Sequence, residues 1–226
     1  MDLTLTAPID EYLSSSPLID VDHVAVRAQA QGLRNASAAA MGQAERDGSS
    51  TGPPSLSLQQ WADIAFIRAA YEFVRDDVSH SWDIQSTRVT AKASDVLQYR
   101  EGICYAKSLL LSALLRSQGV PSGIGYQRLV LFDDPADGYC LHALNTVYLE
   151  FERRWIRLDA RGNNDFVDAQ FSLDEERLAF PVRPEMGEID YPYNFAAPPE
   201  VIVDTLLGHV DCREMYACGL PSDLAL

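Results

Sequence analysis

Apolar residues recur at helical spacing through a central stretch of the chain, residues 103–116. The apolar positions on one face of this stretch are Ile103, Ala106, Leu110, Leu111, Leu114 and Leu115. This i, i+3, i+4, i+7 spacing predicts an α-helix with a strongly apolar face, which we expect to be buried. Gly119 and Pro121 follow the last periodic position, as is typical of residues just past the end of a helix.

Four other stretches carry helical signals. Residues 57–78 are apolar at positions nearly all round a helix, which predicts a second helix in the core. A helix is also predicted over Val24–Ala30, because acidic residues precede it and favour a helix N-terminus. Shorter helices are expected to begin at Ser94 and at Glu200.

Stretches rich in β-branched and aromatic residues predict strands in the second half of the chain. Residues 123–132, 139–149 and 154–159 each have this composition. Residues 3–5 and 87–90 are further, shorter strand candidates. Long helical stretches followed by neighbouring strands indicate an α+β fold, in which the central helix packs on an antiparallel sheet.

The length of the chain, 226 residues, suits one sizeable domain. We expect a single domain over 1–226, with a core at about 58–183. Residues 1–57 would form an N-terminal arm and helix, and residues 184–226 a C-terminal extension. Within the first part, 42–57 is rich in Gly, Ser and Pro and predicts a loop.

Charge and cysteine content restrict the class of protein. The chain has 18 basic and 33 acidic residues, so its net charge at neutral pH is −15. This acidic charge disfavours nucleic acid and anionic membranes as partners. The N-terminus has no secretory signal pattern, and no apolar run is long enough to span a membrane. Four cysteines in a chain of this length do not indicate a disulfide scaffold. We therefore expect a cytoplasmic protein with free thiols.

One of these thiols, Cys104, falls in the first turn of the central helix, directly after Gly102 and Ile103. Unpaired backbone N–H groups and the positive end of the helix dipole favour a thiolate at this position. The alternative is that Cys104 is a small buried apolar residue, as free cysteines often are. This stretch alone does not distinguish the two interpretations.

The strands that follow the central helix offer Cys104 a partner. If they form a hairpin that turns at Glu150 and Phe151, His142 lies directly across from Asp159 on one face of the sheet. A carboxylate beside an imidazole fixes its tautomer, and the imidazole can then take a proton from a thiol and return it to a leaving group. The hairpin therefore favours the interpretation of Cys104 as a nucleophile.

Six segments follow one another in an order that is typical of a known family. They are Ala93–Leu97, Gly102–Ser108, Ala113–Arg116, Gly119–Pro121, His142–Asn145 and Trp155–Gly162. Through them the chain resembles the transglutaminase-like superfamily of papain-type cysteine enzymes, and within it a bacterial single-domain group assigned to the cysteine proteases. The resemblance covers 93–162 firmly and extends from 58 to about 183, and it implies a papain-like or transglutaminase-like core.

The resemblance also implies a role for each matching residue. Cys104 would be the nucleophile that attacks an amide or thioester carbonyl, His142 the general base and acid, and Asp159 the residue that orients His142. The oxyanion hole would combine the backbone N–H of Cys104 with a side chain. The candidates for oxyanion or substrate binding are Gln98, Tyr99, Tyr105 and Gln127.

These roles predict a thiol enzyme that hydrolyses a peptide, amide or isopeptide bond of a peptide or protein through an acyl-enzyme intermediate. One alternative is transfer of the acyl group to an amine, as in transglutaminases. A second alternative is a binding or scaffold module without turnover, which the presence of all three triad residues disfavours. No cofactor is implied.

A metal site is not expected either. Cys104, Cys140 and His142 could be imagined as zinc ligands, but they lack the Cys-x-x-Cys spacing of strong zinc sites. No loop has the spacing of an EF-hand calcium site.

Two regions leave an alternative open. The charged residues 75–83, which include His80, are interpreted as a hydrogen-bonded loop after a helix; the alternative is a groove wall beside the active site. The tail from Asp174 is interpreted as structural packing, and the alternative is that it covers one end of the groove.

Overall fold

The computed structural model describes residues 1–47, 56–131 and 134–224. Residues 48–55 of the predicted loop at 42–57 and the last residue of the predicted strand at 123–132 lie outside these residues. The loop prediction is wrong for residues 42–46, which continue the first α-helix. The described part of the chain combines helices with an antiparallel sheet, so the predicted α+β class is confirmed.

The predicted helices are all present. They are α1 (Val24–Arg46), α2 (Leu58–Asp76), α3 (Ala93–Tyr99), α4 (Cys104–Arg116) and α5 (Glu200–Gly208), and a single turn follows as α6 (Cys212–Glu214). Helix α2 begins where the sequence indicates because Ser57 and Gln60 form a capping box. None of the helices in the described ranges is both long and apolar enough to cross a membrane.

Within the described residues, the strands form one sheet and two small pairs. They are β1 (Thr4–Leu5), β2 (Ser79–His80), β3 (Glu101–Gly102), β4 (Ser122–Val130), β5 (Tyr139–Leu149), β6 (Arg154–Leu158), β7 (Ile189–Asp190) and β8 (Tyr193–Asn194). The sheet is antiparallel with the order β6-β5-β4-β7, while β1 pairs with β8 and β2 pairs with β3 in parallel.

The strand predicted at 87–90 is wrong, because these residues form an irregular segment. The adjacent strand β3 pairs with β2 instead. Thr90 reaches β3 only through its side chain, whose hydroxyl donates to the carbonyl of Glu101 (2.9 Å). The β-branched composition of 87–90 therefore serves packing and side-chain contacts rather than a sheet.

The β5–β6 hairpin has a different register from the predicted one. Leu149 pairs with Arg154, so the connection is longer than the tight turn we expected. Arg153 has a φ of 54°, and this left-handed residue closes the longer loop. Asp159 is consequently displaced by two residues from the position directly across from His142. Because side chains alternate with a period of two, both residues still lie on the same face.

Helix α4 is the centre of the core, and every one of its residues is buried. It packs against β4 and β5 on one side and against α1, α2 and α3 on the other. The Asn145 amide on β5 donates to the Ser108 carbonyl (2.8 Å) and to the Ser112 hydroxyl (3.0 Å). These bonds fix the helix against the sheet and so position its first residue, Cys104.

Candidate active site

The start of α4 presents Cys104 next to two short strands. Because β2 pairs with β3, His80 lies opposite Gly102. A Cβ at position 102 would lie 3.1 Å from Thr90 Oγ1 and 3.2 Å from Ala106 Cβ, so this close approach suits glycine. Cys104 follows as the first helical residue and is only 7% exposed. Its backbone N–H lies in the first turn, where such groups have no intrahelical partner.

His142 and Asp159 form a buried pair. The distance from His142 Nε2 to Asp159 Oδ2 is 2.7 Å. The Asp159 carboxylate also accepts hydrogen bonds from the backbone N–H groups of Arg161 (3.1 Å) and Ala179 (3.0 Å). These bonds fix the carboxylate, which in turn fixes the imidazole ring.

The pair is charged in spite of its burial. Burial by itself would lower the pKa of His142, but the charge and hydrogen bond of Asp159, followed by the Cys104 thiol, raise that pKa to about 10. Burial would likewise raise the pKa of Asp159, but His142 and the two backbone N–H groups lower it. The pair is therefore an imidazolium and a carboxylate at neutral pH.

Cys104 and His142 both line one cavity of about 300 Å³. Two arginines also line it, and each has an acidic partner: Arg161 donates to Asp83 (2.8 Å) and Arg183 to Glu188 (2.7 Å). Much of the remaining wall is apolar. Its main apolar side chains are Trp82, Ile103, Leu129, Leu141, Phe180 and Leu220.

The cavity also contains aromatic and imidazole groups that were not among the predicted site residues. The ring of Tyr216 stacks on Trp82 with 4.5 Å between centroids, and its hydroxyl lies 3.3 Å from His80 Nε2. His80 Nδ1 lies 3.8 Å from Asp83 Oδ1. Burial lowers the pKa of His80 well below its usual value, and nearby cations lower it further. His80 is therefore a neutral imidazole.

Two open alternatives of the sequence interpretation are thus decided by position. His80 and Trp82 line the wall of the cavity, rather than forming only a loop after α2. Tyr216 and Leu220, from the tail, cover part of the same cavity. His80 and Trp82 lie close together in sequence among polar residues, and this pattern could have identified them as cavity residues. Tyr216 is distant in sequence from the other residues of the cavity, and no sequence pattern identifies it.

Gln98 and Tyr99 are not brought to Cys104. Both are exposed at the end of α3. Gln98 lines a separate groove beside α1, and the Tyr99 ring lies under the guanidinium of Arg88 at 3.9 Å. Arg100 adopts the left-handed conformation (φ 56°) and turns the chain between α3 and α4. This turn explains why Gln98 and Tyr99 do not lie beside Cys104.

The other two candidates for oxyanion or substrate binding, Tyr105 and Gln127, are both buried, but only Tyr105 lines the cavity. Tyr105 lines the cavity, but its hydroxyl donates to the Leu141 carbonyl (2.8 Å) and so braces β5. Gln127 lies directly across from His142 in the β4–β5 ladder and is not one of the residues that line the cavity. Its Oε1 is buried and has no hydrogen-bond partner within the described residues.

No group of three or more His, Cys, Asp and Glu side chains among the described residues could hold a metal ion. Cys140 does line the cavity together with Cys104 and His142. Burial, and then the charges of Cys104 and Glu188, raise the pKa of Cys140 to about 12.

A family model for the transglutaminase-like superfamily matches residues 56–160. This segment includes Cys104, His142 and Asp159. The resemblance inferred from the sequence motifs is therefore confirmed.

Two solved structures are also similar to the chain. A putative cysteine protease from Cytophaga hutchinsonii aligns with 68% of this chain and 42% of its own, at 18% identity and a TM-score of 0.41. A TGase aligns with 89% of this chain and 52% of its own, at 15% identity and a TM-score of 0.36. The chain thus spans about half or less of the length of either protein. No curated protein was found to match it.

Proposed function

We propose that the chain is a cysteine-dependent enzyme that cleaves an amide bond of a peptide or protein through an acyl-enzyme intermediate. The observation that supports this most directly is the buried His142–Asp159 pair, 2.7 Å apart, whose imidazole shares a cavity with Cys104. An imidazolium beside a thiol stabilises the thiolate, which is the nucleophilic form.

In the proposed reaction, the Cys104 sulfur forms a bond with the carbonyl carbon. The negative oxygen that results is stabilised by the backbone N–H of Cys104 at the start of α4. His142 then gives its proton to the leaving nitrogen as the C–N bond breaks. It next takes a proton from the water that attacks the thioester, and the Cys104 thiolate leaves. Asp159 keeps the imidazole oriented and stabilises its charged form.

The experiment that tests this proposal is a panel of peptides incubated with the protein, with and without an amine donor, and followed by mass spectrometry. We expect hydrolysed products and, after an acid quench, an acyl group on Cys104. Products joined to the amine donor would instead identify an acyltransferase. Cys104→Ala should abolish both the products and the acyl adduct while the fold is retained.

Iodoacetamide labelling near neutral pH provides the matched control. Cys104 should be the thiol that is labelled most rapidly in the native protein, and Cys218→Ala, at an exposed cysteine, should change neither this labelling nor turnover. Turnover that survives in Cys104→Ala, or preferential labelling of Cys140 or Cys212, would refute the proposal. A folded protein with no reaction on any substrate would indicate a scaffold module.

A further inference from the structure

We propose that the part of the acyl group that enters the cavity beside Cys104 is short, uncharged and apolar, and that Leu220 limits its length. This inference rests on the proposed function and narrows its substrate class. It follows from the size of the cavity, from the pairing of its charges and from the way the C-terminal segment closes one part of its wall.

The size of the cavity sets the first limit. Its volume is about 300 Å³. Since an apolar cavity of about 150 Å³ binds benzene, this cavity holds roughly ten to twelve non-hydrogen atoms. The apolar part of the wall, which includes Leu129, Phe180 and Leu220, gains by removing an apolar chain from water. A short aliphatic or aromatic acyl group matches both properties.

The charges of the cavity set the second limit. Arg161 contacts Asp83 through two hydrogen bonds, each of 2.8 Å. Glu188 is buried and accepts from Arg183 (2.7 Å). Within the described lining these charged groups are already neutralised by each other. A charged acyl chain would lose its hydration without gaining a free partner of opposite charge, which is costly.

Leu220 is held in its place by the residues that follow it. The Pro221 carbonyl accepts a hydrogen bond from the backbone N–H of Leu141 on β5 (2.9 Å). The Asp223 carboxylate lies 3.5 Å from Arg128 on β4. The segment is thus attached to the two central strands of the sheet, and Leu220 forms a fixed part of the cavity wall.

The test uses acyl thioesters of one small thiol, in which only the acyl chain varies. In the reaction the Cys104 sulfur bonds to the carbonyl carbon, the bond to the leaving thiol breaks, and that thiol takes its proton from His142. The acyl group then remains on Cys104 as a thioester. Its formation is measured by mass spectrometry and peptide mapping after an acid quench, against Cys104→Ala.

We expect the rate of acylation to rise from acetyl to hexanoyl and to fall again at dodecanoyl, which exceeds the cavity. Adipoyl and 6-aminohexanoyl match hexanoyl in chain length but carry a charge at the far end. Each should react at least about ten-fold more slowly than hexanoyl, because its charge is buried without a partner.

Two variants of Leu220 test whether this side chain sets the longest acyl group that the cavity accepts. Leu220→Ala should move the longest accepted acyl group upwards, and Leu220→Trp should move it downwards, so the proposal remains testable if one of the two fails to fold. Leu207→Trp is the matched control, since Leu207 is 61% exposed on α5 and does not line the cavity; its acyl profile should be unchanged.

The two proposals fail in different ways. Acylation of Cys104 that is equally fast with hexanoyl, adipoyl and dodecanoyl, or a length limit that does not move in either Leu220 variant, would overturn this inference and leave the proposed enzyme intact. If no thioester acylates Cys104 while the peptide panel still gives products and an acyl adduct on Cys104, this inference alone is overturned. If neither the thioesters nor the peptides acylate Cys104, the proposed function is refuted as well.

Discussion

Each charge of the His142–Asp159 pair is stable in the core only because the other is present. Neither residue has more than marginal exposure, and an isolated charge at such a depth would be strongly disfavoured. The backbone N–H groups of Arg161 and Ala179 supply the remaining hydrogen bonds of the carboxylate. The pair therefore links protonation to the stability of the fold as well as to the proposed chemistry.

This link predicts how stability depends on pH. The pKa of His142 is raised from 6.5 to about 10 in the folded protein, so protonation of His142 contributes stability that is fully present below about pH 6.5 and lost as the pH rises to about 10. The pKa of Asp159 is lowered from 3.8, so its contribution is present above about pH 4 and lost in acid. The pair should stabilise the fold most between these limits.

The measurement compares two proteins, Cys104→Ala with and without His142→Gln, by urea unfolding from pH 6 to pH 10. Both proteins carry Cys104→Ala, so the Cys104 thiol does not contribute to the pH dependence of either one. Lys107, whose pKa is lowered to about 7 chiefly by burial, titrates in both proteins and cancels in the difference. The stability advantage of the protein with His142 should decrease as the pH rises. A difference that stays constant or grows would contradict the charged pair.

At the scale of elements, the fold depends on how closely the N-terminal arm and β8 approach the sheet. Gly123 on β4 shows this best. A Cβ there would lie 2.0 Å from Asn194 Oδ1 on β8, 2.7 Å from Thr146 Oγ1 on β5 and 2.8 Å from Tyr12 of the N-terminal arm. No real Cβ has such contacts, so the arm and β8 can pack on β4 only because this residue is glycine.

Gly123→Ala should therefore destabilise the protein by about 1–3 kcal/mol or more, since the overpacked neighbours must move. Gly32→Ala is the matched control. Gly32 lies within α1, and a Cβ there would have no neighbour within 4 Å, so the change should stabilise by about 0.5–1 kcal/mol. Chemical denaturation of both variants measures the two effects. If Gly123→Ala were as stable as Gly32→Ala, β4 would have room for a Cβ at position 123, which would contradict the packing described here.

At the scale of the whole molecule, the two ends of the chain complete the core. Arg116, the last residue of α4, is buried and donates to the carbonyls of Ser14 (2.7 Å), Ser122 (2.7 Å) and Ala196 (2.6 Å). One side chain thus joins the N-terminal arm, the sheet and the C-terminal extension. We propose from this that residues 1–226 fold as a single domain, and that the segment 58–183 needs both ends.

Arg116→Met should accordingly lower the free energy of unfolding by at least about 3 kcal/mol, because buried carbonyls of three segments lose a charged donor. Urea unfolding followed by far-UV circular dichroism and by tryptophan fluorescence should still give one coincident transition. Arg27→Met, at an exposed pair with Asp22 (3.6 Å), should change stability by less than about 0.5 kcal/mol. Two separate transitions in the unmodified protein would refute the single domain.

The sequence alone determined the properties that depend on neighbouring residues. Helical periodicity located α4 and placed Cys104 in its first turn, and strand composition located β4, β5 and β6. The period of two in a strand put His142 and Asp159 on one face, and this survived a register error of two residues because an even shift keeps the face. The catalytic roles of these residues remain predictions.

Only the tertiary structure decided which distant segments meet at the cavity. The pairing of β2 with β3 brings His80 to the cavity that Cys104 lines, and the tail brings Tyr216 and Leu220 to the same cavity. Gln98, although near Cys104 in sequence, is directed elsewhere by one left-handed residue at the end of α3. Such contacts depend on long-range pairing and on single backbone angles, and neither leaves a periodic pattern in the sequence.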